Sequence, residues 1–422
     1  MFSVFPLARK SPASKALVPE PLAPESPARR PRARKSLAGL PVLRAAALVG
    51  ATLLGACVPA AGPGGGPRID PGAPVQVALL VPSGSGQAQD EVLARNLQNA
   101  ARLAISDLGN VKVDLRVYPT AGQPAQAQAQ AIKAVDEGAK IILGPVYAQE
   151  ANAAGVAVAG RGVSVLSFSN NADIAGGNVF VLGPTFQNTA DRLGRFAVRN
   201  GKSKVLIVHD RSLPGEVGKA AIERGISAAG GQVVGVQSYE FSQNGIVSAA
   251  PAIVSTVRSS GAQAVFLTAD TAGALPLVTQ LLRDNGVVPP STAFLGLTRW
   301  DIPSATLSLP GVQGGWFALP DPGLHNQFQS RYQAAYGQPP LPIAGLAYDG
   351  IAALGALVSR GGGNNALSRA ALTQGSGFVG VSGIFRLRSD GTNERGLAVA
   401  TIQNNQLTIL EPAPRSFSGA GY

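Results

Sequence analysis

From Val75 to Gly296, strand signals and helix signals alternate with little interruption, and this pattern limits the chain to an α/β architecture with parallel sheets. Val75–Val81 is apolar except for Gln76, the signature of a strand covered on both faces. Asp90–Leu108 then places Leu93, Leu97, Ala100, Ala101, Ala104 and Leu108 on one helical face. Strands are predicted at Val111–Tyr118, Lys140–Leu143 and Ser164–Ser169, with helices at Pro124–Glu137 and Gln149–Ala159. The alternation restarts after Phe180–Leu182. Helices at Gln187–Asn200, Glu216–Ala229, Ile246–Ser260 and Ala272–Asn285 each lead to a strand, at Lys204–His209, Gln232–Tyr239, Ala264–Ala269 and Ala293–Gly296. Two runs of similar length predict two parallel sheets with helices on both faces. Three successive helices (Gln327–Tyr336, Pro342–Ser359 and Leu367–Thr373) and a β-meander over Ile384–Leu387, Gly396–Ile402 and Leu407–Leu410 end the pattern. Its turns hold Asp390-Gly391 and Asn404-Asn405, residues suited to positive φ.

The charge is unevenly placed. The formal net charge is +11, but nine of the 35 Lys and Arg residues and only two of the 24 Asp and Glu lie in residues 1–56. That leaves 26 against 22 for the rest, so the basicity belongs mainly to the leader and the body gives no support for nucleic-acid binding. Ala28–Arg44 is strongly basic, and Ala45–Ala56 is uncharged and ends in small residues before Cys57. This is the layout of a secretory signal, since twelve helical residues span about 18 Å and cannot cross a bilayer. Leu54-Gly55-Ala56-Cys57 resembles the bacterial lipobox, whose cysteine is lipidated and becomes the mature N-terminus. Val58–Pro74, rich in Gly and Pro, reads as a flexible tether.

No chemistry-bearing motif stands out. The chain has two histidines, His209 and His325, and one cysteine. No zinc spacing, P-loop, G-x-S-x-G or strand-following G-x-G-x-x-G is found. No enzyme activity, metal or cofactor is expected. What the sequence does offer are polar strand ends, where open α/β sheets bind ligands. The expected first-sheet wall is Ser83, Ser85, Tyr147, Gln149, Ser169 and Asn171, and the second-sheet wall includes Asp270 and Thr298. In a solute receptor Asp270 would pair with a ligand cation, while the hydroxyls and amides would hold a carboxylate or carbonyl. As helix caps alone, the same residue types would satisfy the first amides of each helix.

The order and spacing of several segments resemble the type I periplasmic binding proteins of the leucine/isoleucine/valine-binding branch. They are VALLVPSGSG, IILGPVYAQEANAA, VSVLSFSNNADI, FVLGPTFQNTADRLGRFAV, KSKVLIVHD, GGQVVGVQSY, AVFLTAD, IAGLAYDGIAALGALV and GVSGIFRLRSDGTNERGLAVATI. The resemblance implies two Rossmann-like lobes joined by a three-crossover hinge. Residues 1–56 then form the leader with its lipobox and 57–73 the tether. Residues 74–185 and 319–375 form one lobe, 186–318 and 376–412 the other, and 413–422 a tail. The chain departs from the family in two places: there is no serine near Ala148, and Pro214-Gly215 replaces the aromatic expected after Asp210.

The same opening, VALLVPSGSGQAQDEVLARNLQNAARLAI, is similar to that of penicillin-binding-protein activator lipoproteins. That likeness implies a non-catalytic extracytoplasmic lipoprotein that regulates a peptidoglycan synthase by contact. Val58 after Cys57 points to the outer membrane. The alternative is the substrate-binding component of an ABC importer for branched-chain amino acids or a similar small polar solute, with a permease as partner.

Overall fold

The computed structural model describes residues 66–418, apart from 71 and 362. The leader, the lipobox and Cys57 lie outside the described residues. The first lobe opens with β1 (Val75–Val81), α1 (Ala88–Ser106), β2 (Val113–Pro119), α2 (Pro124–Asp136), β3 (Ile141–Leu143), α3 (Ala148–Val158), β4 (Ser164–Ser167) and β5 (Val179–Val181). Its strands lie parallel in the order β2-β1-β3-β4-β5. The apolar run of β1 is explained by two-sided burial. Val77, Leu79 and Val81 enter one core, and Ala78 and Leu80 enter the core on the opposite face.

The second lobe follows with α4 (Phe186–Arg199), β6 (Lys204–Asp210), α5 (Leu213–Ala228), β7 (Gln232–Tyr239), α6 (Gln243–Ser260), β8 (Ala264–Leu267), α7 (Leu275–Asp284), β9 (Ala293–Gly296) and β10 (Trp316–Leu319). Thr185 and Asn188 form a reciprocal capping box at α4, and the Ser212 and Ser242 hydroxyls cap α5 and α6. Strand β10 was not expected from the sequence; a short WFAL run after glycines lacks a strand's alternation.

The chain then returns to the first lobe through α8 (Pro322–Tyr336), α9 (Gly345–Ser359), α10 (Arg369–Leu372), β11 (Phe378–Gly380) and β12 (Gly383–Leu387). After β13 (Asn393–Arg395), it adds β14 (Ala398–Gln403) and β15 (Gln406–Glu411) to the second sheet. That sheet has the order β15-β14-β10-β9-β8-β6-β7, with β14 antiparallel to β10 and β15 antiparallel to β14. The expected meander is thus divided between two sheets.

Three details differ from the sequence reading. Ile69 is buried in the first core, so the last residues of the expected tether are packed rather than free. Phe378, Phe385 and Leu387 also pack in the first core, because the β11–β12 hairpin lies against α9. The chain's last passage between lobes therefore falls after Leu387 rather than at 375. The described part of the tail is held at two points: Ala413 is buried in the second lobe, and the Arg386 guanidinium lies 4.6 Å from the Phe417 ring centre.

The segment Pro342–Ser359 is apolar enough and long enough to cross a membrane, but Leu346, Ile351, Leu354 and Leu357 bury it in the first core. The lone acid in this helix, Asp349, is fully buried (0% exposed). It accepts the Val381 amide at 2.8 Å and pairs with Arg395 at 3.2 Å. Gly380 is required beside it, since a side chain there would run into the Asp349 carboxylate.

A second buried acid has the opposite character. Glu150, in the first turn of α3, is also 0% exposed, and neither carboxylate oxygen has a hydrogen-bond partner among the described residues. Burial pushes its carboxyl above the ordinary 4.5, and Asp90 adds to the shift; the nearby Thr120 hydroxyl and Tyr147 backbone oppose it only in part.

These two acids should respond oppositely to neutralisation. Removing Asp349 leaves the Arg395 charge unpaired, so Asp349→Ala should cost about 3–5 kcal/mol in urea unfolding. The double variant Asp349→Leu/Arg395→Met should recover much of that loss. For Glu150 the folded state holds its proton to higher pH than the unfolded chain. Its contribution to stability is therefore present below the unfolded pKa and falls as pH rises through the folded one. Glu150→Gln should be nearly neutral at pH 4 and stabilising at pH 8, by about 1.4 kcal/mol for each unit of upward shift. Parallel melts at the two pH values check this.

Candidate functional site: the cleft between the lobes

The carboxyl ends of both sheets face a common cavity of about 650 Å³. On the first lobe the chain leaves β3 through Gly144, whose φ of +84° and contact with the Leu80 carbonyl exclude a side chain. This turn delivers Val146 and Tyr147. Phe168, Ser169, Asn170 and Asn171 follow β4, and Pro184, Thr185 and Phe186 follow β5. From the second lobe come Leu297, Thr298 and Arg299 after β9, and Leu319 and Pro320 at the end of β10. His325 of α8, Ile343 and Leu346 at the start of α9, and Ser382, Arg395 and Leu397 around the last interlobe passage complete the lining.

Four of the eight residues expected from the sequence line this cavity: Tyr147, Ser169, Asn171 and Thr298. The other four do not. The Ser83 carbonyl accepts the Ala121 amide, and the Ser85 hydroxyl accepts the Gln87 amide beyond β1. Gln149 is exposed on α3. Asp270 is exposed, and its backbone carbonyl accepts the amides of Gly273 and Leu275 at the start of α7. It is not placed to meet a cation in the cavity.

Several of the lining groups are also spent locally, as capping chemistry would have it. Ser169 Oγ accepts the Asn171 amide at 3.1 Å, Asn171 Oδ1 accepts the Asp173 amide at 2.9 Å, and Thr298 Oγ1 donates to the Ala269 carbonyl at 3.3 Å. The Tyr147 hydroxyl donates to Asp90 Oδ1 at 2.5 Å; this bond, with burial, pushes the phenol up to about 12.

Two further groups in the lining were not singled out by the sequence reading. Arg395 is 6% exposed. One terminal nitrogen pairs with Asp349, the other donates to the Leu182 carbonyl, and Nε has no hydrogen-bond partner among the described residues. His325 Nδ1 is likewise buried without a partner. Burial lowers its imidazole pKa, the Arg299 charge adds to the shift, and Asp301 opposes it. Arg299 itself is paired with Asp301, with Nε 2.9 Å from Oδ1. Among the described residues no Asp or Glu lines the cavity, and the rest of its wall is mainly apolar. One sequence signal pointed this way: a single Asp inside IAGLAYDGIAALGALV requires a buried cation somewhere, and Arg395 supplies it.

A search of the curated proteins gave no match. Among solved structures, one from Rhodospirillum rubrum described as a branched-chain amino acid ABC transporter superposes with a TM-score of 0.69 at 20% identity, covering 80% of this chain and 100% of that one. A branched chain amino acid ABC transporter periplasmic ligand-binding protein from Burkholderia xenovorans gives 0.64 at 18% identity, covering 81% and 96%. An ABC transporter solute binding protein from R. palustris, in complex with benzoate, gives 0.54 at 21% identity, covering 83% and 99%. These likenesses establish the shared fold. The sequence pattern of the periplasmic binding protein family matches residues 74–406, and the chain belongs to that family.

Proposed function

We propose that this chain is the solute-binding component of an ABC importer, a non-catalytic periplasmic receptor that closes its two lobes on one small molecule. The observation that carries this reading is the cavity of about 650 Å³ at the strand ends, with an apolar wall and two buried nitrogens, Arg395 Nε and His325 Nδ1, that lack partners. A regulator of peptidoglycan synthases acting by surface contact, the reading placed first from sequence, has no need of such a cavity. The fold likeness to transporter proteins also supports the importer. Its partner would be an inner-membrane permease. A lipid on Cys57 would keep the receptor in the periplasm near the membrane. No cofactor or nucleic acid enters the reading. The similar proteins named above are described with branched-chain amino acids or benzoate, molecules that share a carboxylate and an apolar body.

A thermal-shift screen of small carboxylates, amino acids, amides and peptidoglycan fragments tests this. At least one solute should stabilise the protein, by about 2.7 kcal/mol at 100-fold excess over Kd. Titrations should show Phe186→Ala weakening that solute by about tenfold or more, because the ring lines the cavity. Asp270→Ala should leave affinity within about twofold, as expected for an exposed residue off the site. A flat screen, together with activation of a peptidoglycan synthase by the purified protein, would return the regulator to first place.

A further inference from the structure

We propose that the cleft selects a small organic monocarboxylate with an apolar body and rejects the corresponding α-amino acid. This rests on the receptor reading and narrows its ligand class.

The argument is an inventory of donors and acceptors. Arginine stays protonated, so Nε–H of Arg395 is a permanent donor. It is buried in the lining and has no acceptor, while the two terminal nitrogens of the same guanidinium are engaged by Asp349 and by the Leu182 carbonyl. His325 Nδ1, also buried and unpartnered, donates in the appropriate neutral tautomer. Both groups are satisfied by a carboxylate, which only accepts hydrogen bonds.

The complementary inventory holds no charge: the acceptors in the lining are neutral hydroxyl and amide oxygens, among them Asn170, Thr189 and Ser382. An ammonium brings three donors and a positive charge, and needs carboxylate or carbonyl partners when desolvated. Among the described residues no acidic side chain lines the cavity. The acids that bond to lining residues are already committed: Asp301 to Arg299, Asp349 to Arg395, and Asp90 to the Tyr147 hydroxyl. Asp270, where the sequence placed a cation partner, is exposed and outside the lining. An ammonium would therefore find neutral acceptors at best, in a wall made mainly of side chains such as Val146, Phe168, Phe186, Leu297, Ile343 and Leu346, which suit a hydrocarbon. An uncompensated charge in such a wall is a device of exclusion as much as a missing attraction.

Matched pairs that differ only in the amino group test this by calorimetry on the full chain: 4-methylpentanoate against leucine, and 3-phenylpropanoate against phenylalanine. Benzoate and 3-phenylpropanamide serve as further probes. The deaminated acids should bind at least about tenfold more tightly than their amino acids, and the amide should bind more weakly than the acid. His325→Leu should weaken the acids without improving the amide. Arg395→Lys should do the same, and because Arg395 is paired to Asp349, circular dichroism must show that this variant is folded. Leucine or phenylalanine binding as tightly as its deaminated partner would overturn the inference while leaving the receptor reading intact. So would a tight-binding solute without a carboxylate. No binding by any probe, or by any compound in a broader solute screen, would overturn the receptor reading and the inference with it.

Discussion

The buried pair between Asp349 and Arg395 is the contact on which the rest of the arrangement depends. It links α9 of the first lobe to the β-strand from which the chain leaves for the second. Through the other arm of Arg395 it also reaches Leu182, where the chain made its first passage between lobes. Asn393, two residues earlier, donates to the carbonyls of Val181 and Gly183 and accepts from Asn188 of α4 through its own carbonyl. Two passages of the chain are thus cross-braced by side-chain amides and a guanidinium. The third is tied to the β11–β12 hairpin, where the Asp321 amide donates to the Ser382 carbonyl. Such a pair is costly to desolvate, and a hydrocarbon replacement would give as much stability. What the charges add is position: they fix Arg395 in the cavity wall with one nitrogen left to donate.

The cleft combines two chemistries that the fold supplies separately. Strand ends bring short polar groups, most of which are consumed as local caps. Apolar side chains from the loops after β3, β4, β5 and β9 and from the start of α9 make most of the wall. On the hinge side, Arg395 and His325 add two buried nitrogens to the lining. A solute held there touches both lobes and the passages joining them, so its binding energy is available to favour the closed arrangement over the open one.

Much of this was legible in the sequence. Apolar runs such as VQVALLV and KVLIVHD identify parallel strands because burial on both faces removes alternation, and the capped amphipathic helices between them follow from periodicity. The strand-end rule found Tyr147, Ser169, Asn171 and Thr298. It placed Ser83, Ser85, Gln149 and Asp270 in the wall as well, because periodicity gives strand ends but not which of them curve toward the partner lobe. Arg395 and His325 were missed for a related reason. His325 lies in the first turns of a helix, α8, and Arg395 ends β13, a three-residue strand antiparallel to β12, so the rule for parallel strand ends covers neither. WFAL and the FVG strand were missed because runs of three or four residues carry too little pattern.

The central claim is that a solute in this cavity bridges the lobes. The most direct measurement is the distance between spin labels at Gln149→Cys and Asp270→Cys, exposed positions on opposite lobes, in a Cys57→Ser background that leaves no other cysteine. Pulsed electron resonance with a bound solute should give a shorter and narrower distance distribution than the empty protein. An identical distribution with and without saturating solute would contradict the account.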